Sequence, residues 1–308
     1  MPAQLQRNPF RLALLPGLIG LLTAQAAMSQ DEVAQNTAAS NTKIESVTVI
    51  GQKQPYRGDT PLKELPQAIE VFNADVLKDV GAVRLENLLT MRSGLAADDD
   101  VDGLPGNEDR LDEADDPLAF ALSVPAAEPQ GARYRYNSLA AYVAGVVVAR
   151  ATGKKLEDFA RAALFEPLGM RRWQWQEDRA RQTKGQGNLF LTALDFAHIG
   201  QLVLGNGMYD GKRIVSRRWI ERSLHPRVDI SANDPYATGY GYYWYHRAYP
   251  VRGRATDVYF ASGNGGNKLY VVPELRMVVS ILSRAYGQAR GQRRSEDILK
   301  AVLAAVDS

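Results

Sequence analysis

Near the C-terminus three β-branched or aromatic stretches, Asp257 to Ser262, Asn267 to Val272 and Arg276 to Ser283, are separated by turns that are rich in glycine or carry proline. Stretches joined this closely pair in chain order as an antiparallel meander, because a short turn leaves no length for a crossover. A further aromatic stretch, Gly239 to Tyr245, precedes them. The segment Arg294 to Val306 follows, with Ile298, Leu299, Val302, Leu303 and Val306 on one helical stripe that can pack on the sheet. Upstream the period is helical. Ser138 to Arg150 runs to Gly153; Leu156, Phe159, Ala160, Ala163 and Leu164 share a face; Thr192 caps a segment stopped by Gly205; and Ser216 caps Arg217 to Leu224. Helices placed ahead of sheet-forming strands predict an α+β fold.

Bulk properties remove several functions. With 308 residues, 45% of them apolar, the chain can bury the core of one large or two modest domains. A net charge of +2 supplies no broad field for nucleic acid or an anionic membrane surface. The absence of cysteine excludes a disulfide framework, a thiolate metal site, a cysteine nucleophile and a lipoprotein anchor. His198, His225 and His246 share no metal-ligand spacing, and no acidic partner marks any of them for a triad. No metal and no cofactor is expected.

Residues 1–26 have the pattern of a secretory signal: Arg7 and Arg11 precede the apolar run Leu12 to Leu22, and Ala24-Gln25-Ala26 offers small residues for cleavage. A membrane anchor is the other reading, but the run is shorter than the roughly 20 residues that cross a bilayer. Export to the periplasm, with no transmembrane segment in the mature chain, is the expectation. Residues 27–43 are polar and aperiodic, as in a flexible linker. Ile44 to Gly51 and Leu65 to Phe72 then read as short strands, and Asn73 can cap a helix over Ala74 to Asp79. Residues 44–89 resemble the start of a TonB-dependent siderophore receptor, in which a Val-Thr-Val-Ile-Gly-like box, here Val47 to Gly51, precedes a plug. That resemblance implies a TonB-type partner for residues 44–51. The alternating strands of a barrel do not follow, so a transporter is not encoded.

Beyond Leu85 the resemblance changes. Leu88-Leu89-Thr90-Met91-Arg92-Ser93-Gly94-Leu95 is similar to the signature that closes a helix in β-lactamase-related serine hydrolases of the class C, esterase and 6-aminohexanoate-dimer-hydrolase type, and Gly94 suits a left-handed turn. An acidic stretch from Asp98 to Asp116, with Arg110 its one basic residue, lacks the alternating oxygen ligands of a calcium loop and reads as a solvated surface loop. Residues 90–308 are thus expected to form the later part of a β-lactamase/penicillin-binding-protein-like fold, an antiparallel sheet with a helical domain. The fold would be incomplete, because a short plug-like segment stands where the nucleophile segment belongs.

The resemblance implies three site elements: Ser-x-x-Lys on a helix, a Tyr-x-Asn or Ser-x-Asn loop, and a Lys-Thr-Gly-type strand. Tyr136-Asn137-Ser138 matches the second, with Tyr136 as proton relay and Ser138 in the variant third position; a packing tyrosine is the alternative. Ala261-Ser262-Gly263 matches the third. Ala261 replaces the charged residue that grips a substrate carboxylate, while Gly263 and the following glycines permit an oxyanion donor near Asn264; a plain hairpin turn is the alternative. The sequence has one Ser-x-x-Lys, Ser40 to Lys43, and it sits in the polar linker rather than in the first turn of a buried helix. Ser93 has no lysine three residues on. The run Tyr240 to Trp244, with Trp173 and Trp175, fits either a pocket lining or core packing. The expected function is a serine hydrolase by descent, taking a small-molecule ester or amide if active and lacking the family's nucleophile pair. A receptor-derived binding module and a fusion of two genes are the alternatives.

Overall fold

The computed structural model describes residues 84–307. The signal sequence, the linker with Ser40 and Lys43, the box at 44–51 and the plug-like segment up to residue 83 lie outside the described residues.

The first described elements are short helices: α1 (Leu85–Leu89), α2 (Glu108–Glu113) and α3 (Pro117–Ser123). They surround α4 (Ser138–Thr152), which also touches α5 (Leu156–Ala160). Because α4 is enclosed on several sides, eleven of its residues are buried and no single apolar stripe is needed. Its C-terminal end follows the sequence signal. Asn137 accepts from the N–H of Ala140 at the start, and Gly153, at φ +63°, turns the chain left-handed at the end. The helical face expected from Leu156 to Leu164 is present, but after Ala160 the backbone widens into one π-helical turn, Arg161–Phe165, closed by Glu166 N–H donating to Arg161 C=O at 2.9 Å. This turn buries Leu164 and Phe165, whose ring lies 5.1 Å from that of Trp173.

The small pair β1 (Trp173–Trp175) and β2 (Leu189–Leu191) leads to α6 (Ala193–Leu204), capped by Thr192, and the ribbon β3 (Met208–Tyr209) with β4 (Lys212–Arg213) leads to α7 (Arg217–Leu224), capped by Ser216. The remaining strands are β5 (Val228–Asp229), β6 (Gly239–Tyr240), β7 (Tyr245–Val251), β8 (Arg254–Gly263), β9 (Asn267–Val272) and β10 (Met277–Ile281), and the chain closes with α8 (Ala289–Asp307). The last six strands form one antiparallel sheet in the order β10-β9-β8-β7-β6-β5. It is the expected meander.

Two departures have local causes. The stretch Gly239 to Tyr245 is not one strand. Tyr243 takes φ +61° and Gly241 N–H donates to Trp244 C=O at 2.8 Å, so the chain reverses between β6 and β7. β7 itself was masked in the sequence by Pro250 and Gly253. The proline is tolerated with its side chain exposed, and Arg252 and Gly253, at φ +51° and +69°, close the hairpin to β8 as a turn with two left-handed residues.

The sheet is covered on both faces. Helix α6 lies on the face that carries Leu269 and Val278: a Cβ added at Gly200 would sit 2.5 Å from Val278 Cγ1 and 2.9 Å from Leu269 Cδ1. Helix α8 lies on the other face, where Tyr249 donates to Glu296 at 2.8 Å and Ser295 donates to Gly266 C=O at 2.6 Å.

The acidic stretch is a correction to the sequence reading. It is not uniformly solvated. Asp112 pairs with Lys184 at 2.8 Å with both side chains largely buried, Asp115 pairs with Arg179 at 2.8 Å, Asp116 caps α3, and Asp98 faces Arg135 at 3.7 Å. Its charges tie the loop to the helical layer.

Candidate functional site

The Tyr136-Asn137-Ser138 element sits at the head of α4, where the helix leaves unpaired N–H groups. Asn137, 1% exposed, fills two needs: its Oδ1 accepts from Ala140 N–H at 2.8 Å and its Nδ2 donates to Arg135 C=O at 2.8 Å. The N–H of Ser138 donates to Asp99 Oδ2 at 2.8 Å, and the N–H of Asp99 donates back to Tyr136 C=O at 3.2 Å. Asp99 Oδ1 is buried without a hydrogen-bond partner among the described residues. Burial, then the negative charge of Glu108, push the Asp99 carboxyl up to about 7, against the pull of the hydrogen bonds from Ser138.

The surroundings set what Tyr136 can do. Its hydroxyl is pushed upward by burial first and then by the negative charges of Asp99, Glu108 and Asp100. A tyrosine that relays a proton as a base needs a neighbouring cation to hold its phenolate. The charges acting on Tyr136 among the described residues are carboxylates, so its hydroxyl stays protonated at neutral pH.

The Ala261-Ser262-Gly263 element occupies the end of β8. Ala261, 5% exposed, pairs with Leu269 on the face covered by α6, so a packed methyl group stands where the resemblance leads one to expect a charged side chain. Ser262 points to the opposite face. Its register partner on β9 is Lys268, whose Nζ donates to Ser262 Oγ at 2.8 Å; Ser262 Oγ donates to Gln292 Oε1 of α8 at 3.3 Å, and Gln292 Nε2 donates to Gly263 C=O at 2.8 Å. Lys268 is 2% exposed, with Nζ 4.7 Å from the ring centre of Phe260 and 5.7 Å from that of Tyr236. Burial lowers its amine to about 8, while Asp234 and Glu296 pull it back up.

No hydrogen bond joins the two clusters among the described residues, but a run of rings lies between them. Tyr134 meets Tyr240 at 5.1 Å, Tyr240 meets Tyr245 at 4.8 Å, and Tyr245 stacks on Phe260 at 5.2 Å. Tyr240, Tyr242, Tyr243 and Trp244 are each at most 1% exposed, so the aromatic run is core packing and not a pocket wall.

The sequence names Tyr136, Ser138, Ser262 and Gly263 as candidates; the structure adds the side chains that meet them, Asp99, Lys268 and Gln292, which the sequence reading did not name. For Lys268 a signal existed: a tight turn over Gly263 to Asn267 places residues 262 and 268 opposite each other. Asp99 and Gln292 reach their partners across 39 and 30 residues of chain and had no local signature. The histidine reading also needs correcting. His246 Nε2 lies 2.9 Å from Asp257 Oδ1, a pairing made by the unforeseen β7–β8 hairpin. Among the described residues no group of three or more His, Asp or Glu side chains could hold a metal ion, and no helix is long and apolar enough to cross a membrane.

Comparison with known proteins gives the family. A solved protein from Bacillus anthracis described as a 6-aminohexanoate-dimer hydrolase is 18% identical with a TM-score of 0.67, over 98% of this chain and 75% of that one. A β-lactamase/D-alanine carboxypeptidase from Yersinia pestis, complexed with citrate, is 17% identical with a TM-score of 0.60, over 96% of this chain and 83% of that one. A class C β-lactamase from Rhodobacter sphaeroides is 13% identical with a TM-score of 0.56, over 96% and 87%. At such identities the likeness is one of fold: helices with an antiparallel sheet, as in β-lactamases and penicillin-binding proteins. No curated protein matches the sequence. The family model described as Beta-lactamase matches residues 24–303, a span that includes residues 44–89, and these comparisons lend no support to a receptor plug there. With that match over most of its length, the chain belongs to the Beta-lactamase family.

Proposed function

We propose that the chain is an acyl-serine hydrolase acting on small esters or amides rather than on β-lactams. The observation that carries this reading is the residue at 261. The strand that would present a cation to a substrate carboxylate presents a buried methyl group instead, while the glycines beside it keep the backbone approachable. Fold neighbours named as a 6-aminohexanoate-dimer hydrolase and a β-lactamase/D-alanine carboxypeptidase support cleavage of a carbonyl–heteroatom bond. The one Ser-x-x-Lys of the sequence, Ser40 to Lys43, lies in the polar linker outside the described residues, so the chain reads as lacking the family's nucleophile pair, and Tyr136, held protonated, is a donor and not a base.

The test uses the full chain with p-nitrophenyl acyl esters, a chromogenic cephalosporin, and a fluorophosphonate probe read by mass spectrometry. Ester turnover with one labelled serine and no cephalosporin hydrolysis is expected, and Tyr136→Phe should slow the labelling. Absence of both turnover and label from a folded sample overturns the reading. Cephalosporin hydrolysis overturns the substrate assignment.

A further inference from the structure

We infer that Ser262 and Lys268 form a serine–lysine pair that accepts the acyl group, on the α8 face of the sheet and away from the family's Ser-x-x-Lys position; this rests on the acyl-serine reading above. An acyl-accepting serine needs a hydroxyl that an electrophile can reach and a base that removes its proton. Ser262 is half-buried, with Gln292 of α8 on one side of its hydroxyl, while Lys268 behind it is 2% exposed, so the hydroxyl lies nearer the surface than the amine. Cross-strand register holds the two atoms at 2.8 Å without reliance on a flexible loop.

The amine is held by its hydrogen bond to Ser262 and by the ring faces of Phe260 and Tyr236. Among the described residues Lys268 makes no ion pair, although a buried ammonium ordinarily requires one. The carboxylate of α8 that acts on it, Glu296, is engaged by Tyr249 at 2.8 and 3.0 Å and by Lys300 at 3.4 Å, and Asp234 acts from the loop before β6. Phe260 and Tyr236 present ring faces. With its amine lowered to about 8 by burial, Lys268 is neutral in a substantial fraction of molecules just above neutrality, where an exposed lysine remains charged.

The chemistry closes with these two groups and water. Ser262 Oγ bonds to the ester carbonyl carbon as its proton passes to Lys268 Nζ. The bond to the alkoxide breaks, and that proton leaves with the alcohol. Water then gives a proton to the amine and its oxygen to the acyl carbon; the acyl–Oγ bond breaks, the acid departs, and the amine returns the proton to the serine.

The experiment is fluorophosphonate labelling of the full chain between pH 6.5 and 9.5, with the adduct mapped by mass spectrometry, in the unaltered protein and in Lys268→Met and Lys268→Arg. The expected result is an adduct on Ser262 whose rate of formation rises with pH through about 8 and falls at least about tenfold in both variants, a loss of the size that removal of a general base produces. An adduct on Ser40 overturns the pair and leaves the acyl-serine reading standing; no adduct on any serine overturns both. Should the variants fail to fold, the pH profile at Ser262 decides alone: a rate flat from pH 6.5 to 9.5 overturns Lys268 as the base.

Discussion

The backbone N–H of Ser138 donates to the carboxylate of Asp99 at 2.8 Å, joining the acidic loop to the head of α4 across 39 residues of chain. Two influences compete at that carboxylate. The start of a helix favours an anion, by up to about 2 kcal/mol in partly buried geometries. Burial and the nearby Glu108 disfavour it, and they win, because the carboxyl is pushed up to about 7. At neutral pH the loop is therefore held by a carboxyl that is protonated about half the time, next to a tyrosine that every neighbouring carboxylate keeps in its acid form.

Asp99 should make stability depend on pH. Its folded-state value is raised above the ordinary 3.8, so between about 4 and 7 the folded chain binds the extra proton. The stabilisation is complete below the ordinary value and is lost as pH rises through about 7. Asp99→Asn keeps an oxygen for Ser138 and cannot ionise. Urea unfolding should show the variant close to the unaltered protein at pH 5 and more stable at pH 8, by about 1–3 kcal/mol, the usual range for one buried group. Parallel stability curves across that range would remove Asp99 as the titrating group.

Asn137 is expected to act as a cap, whatever Tyr136 does beside it. Replacing it with alanine frees the Ala140 N–H and the Arg135 carbonyl in a region where Asn137 is 1% exposed. The loss should be about 1–2 kcal/mol, and Asn137→Asp should restore only the cap, since aspartate accepts from Ala140 N–H but has no N–H for the Arg135 carbonyl. A thermal melt reads this directly, and equal melting temperatures for the alanine variant and the parent would show that the cap is dispensable.

These two positions also show what the sequence could reveal. Thr192 and Ser216 were legible because a cap is a local event, the side chain meeting an N–H three residues on, whereas Asn137 was read only as part of the Tyr136-Asn137-Ser138 element. The meander was legible for a similar reason, each strand pairing with its neighbour in the chain. Strand β7 was not, because Pro250 and Gly253 are ordinarily interruptions, and whether they interrupt depends on which side of the strand is exposed. Asp99 was read as one more solvated acid. Its raised value is set by burial at the head of α4 and by the charge of Glu108, and neither follows from the run of aspartates around it. The π-helical turn at Arg161 to Phe165 was hidden too, since the packing of Phe165 on Trp173 sets it and not the apolar period.

Gly266 should tolerate no side chain. It takes φ +87°, and a Cβ there would overlap the carbonyl oxygen of Gly291 in α8, so both backbone conformation and space exclude alanine. Gly266→Ala is expected to cost about 3 kcal/mol or more, combining a left-handed penalty with a steric one against rigid backbone. Because this turn joins β8 to β9, the variant should also disturb the opposition of Ser262 and Lys268. A variant as stable as the parent would mean that α8 yields easily, and that the pair is held less firmly than its hydrogen bonds suggest.

Lys268 makes the complementary case at alkaline pH. Its folded-state value lies at about 8 against an ordinary 10.5, so between those limits the unfolded chain binds more protons and stability rises with pH. Below about 8 the folded protein carries a buried ammonium at a standing cost. Lys268→Met keeps the aliphatic length and removes that cost. It should be the more stable protein at pH 7, and its advantage should shrink as pH approaches 10; the tyrosines titrate in both proteins and largely cancel in the difference. Urea midpoints at pH 7, 8.5 and 10 measure the effect. An advantage independent of pH would show that the amine titrates as an exposed lysine does, and the base assigned to Ser262 would be charged wherever the protein is folded.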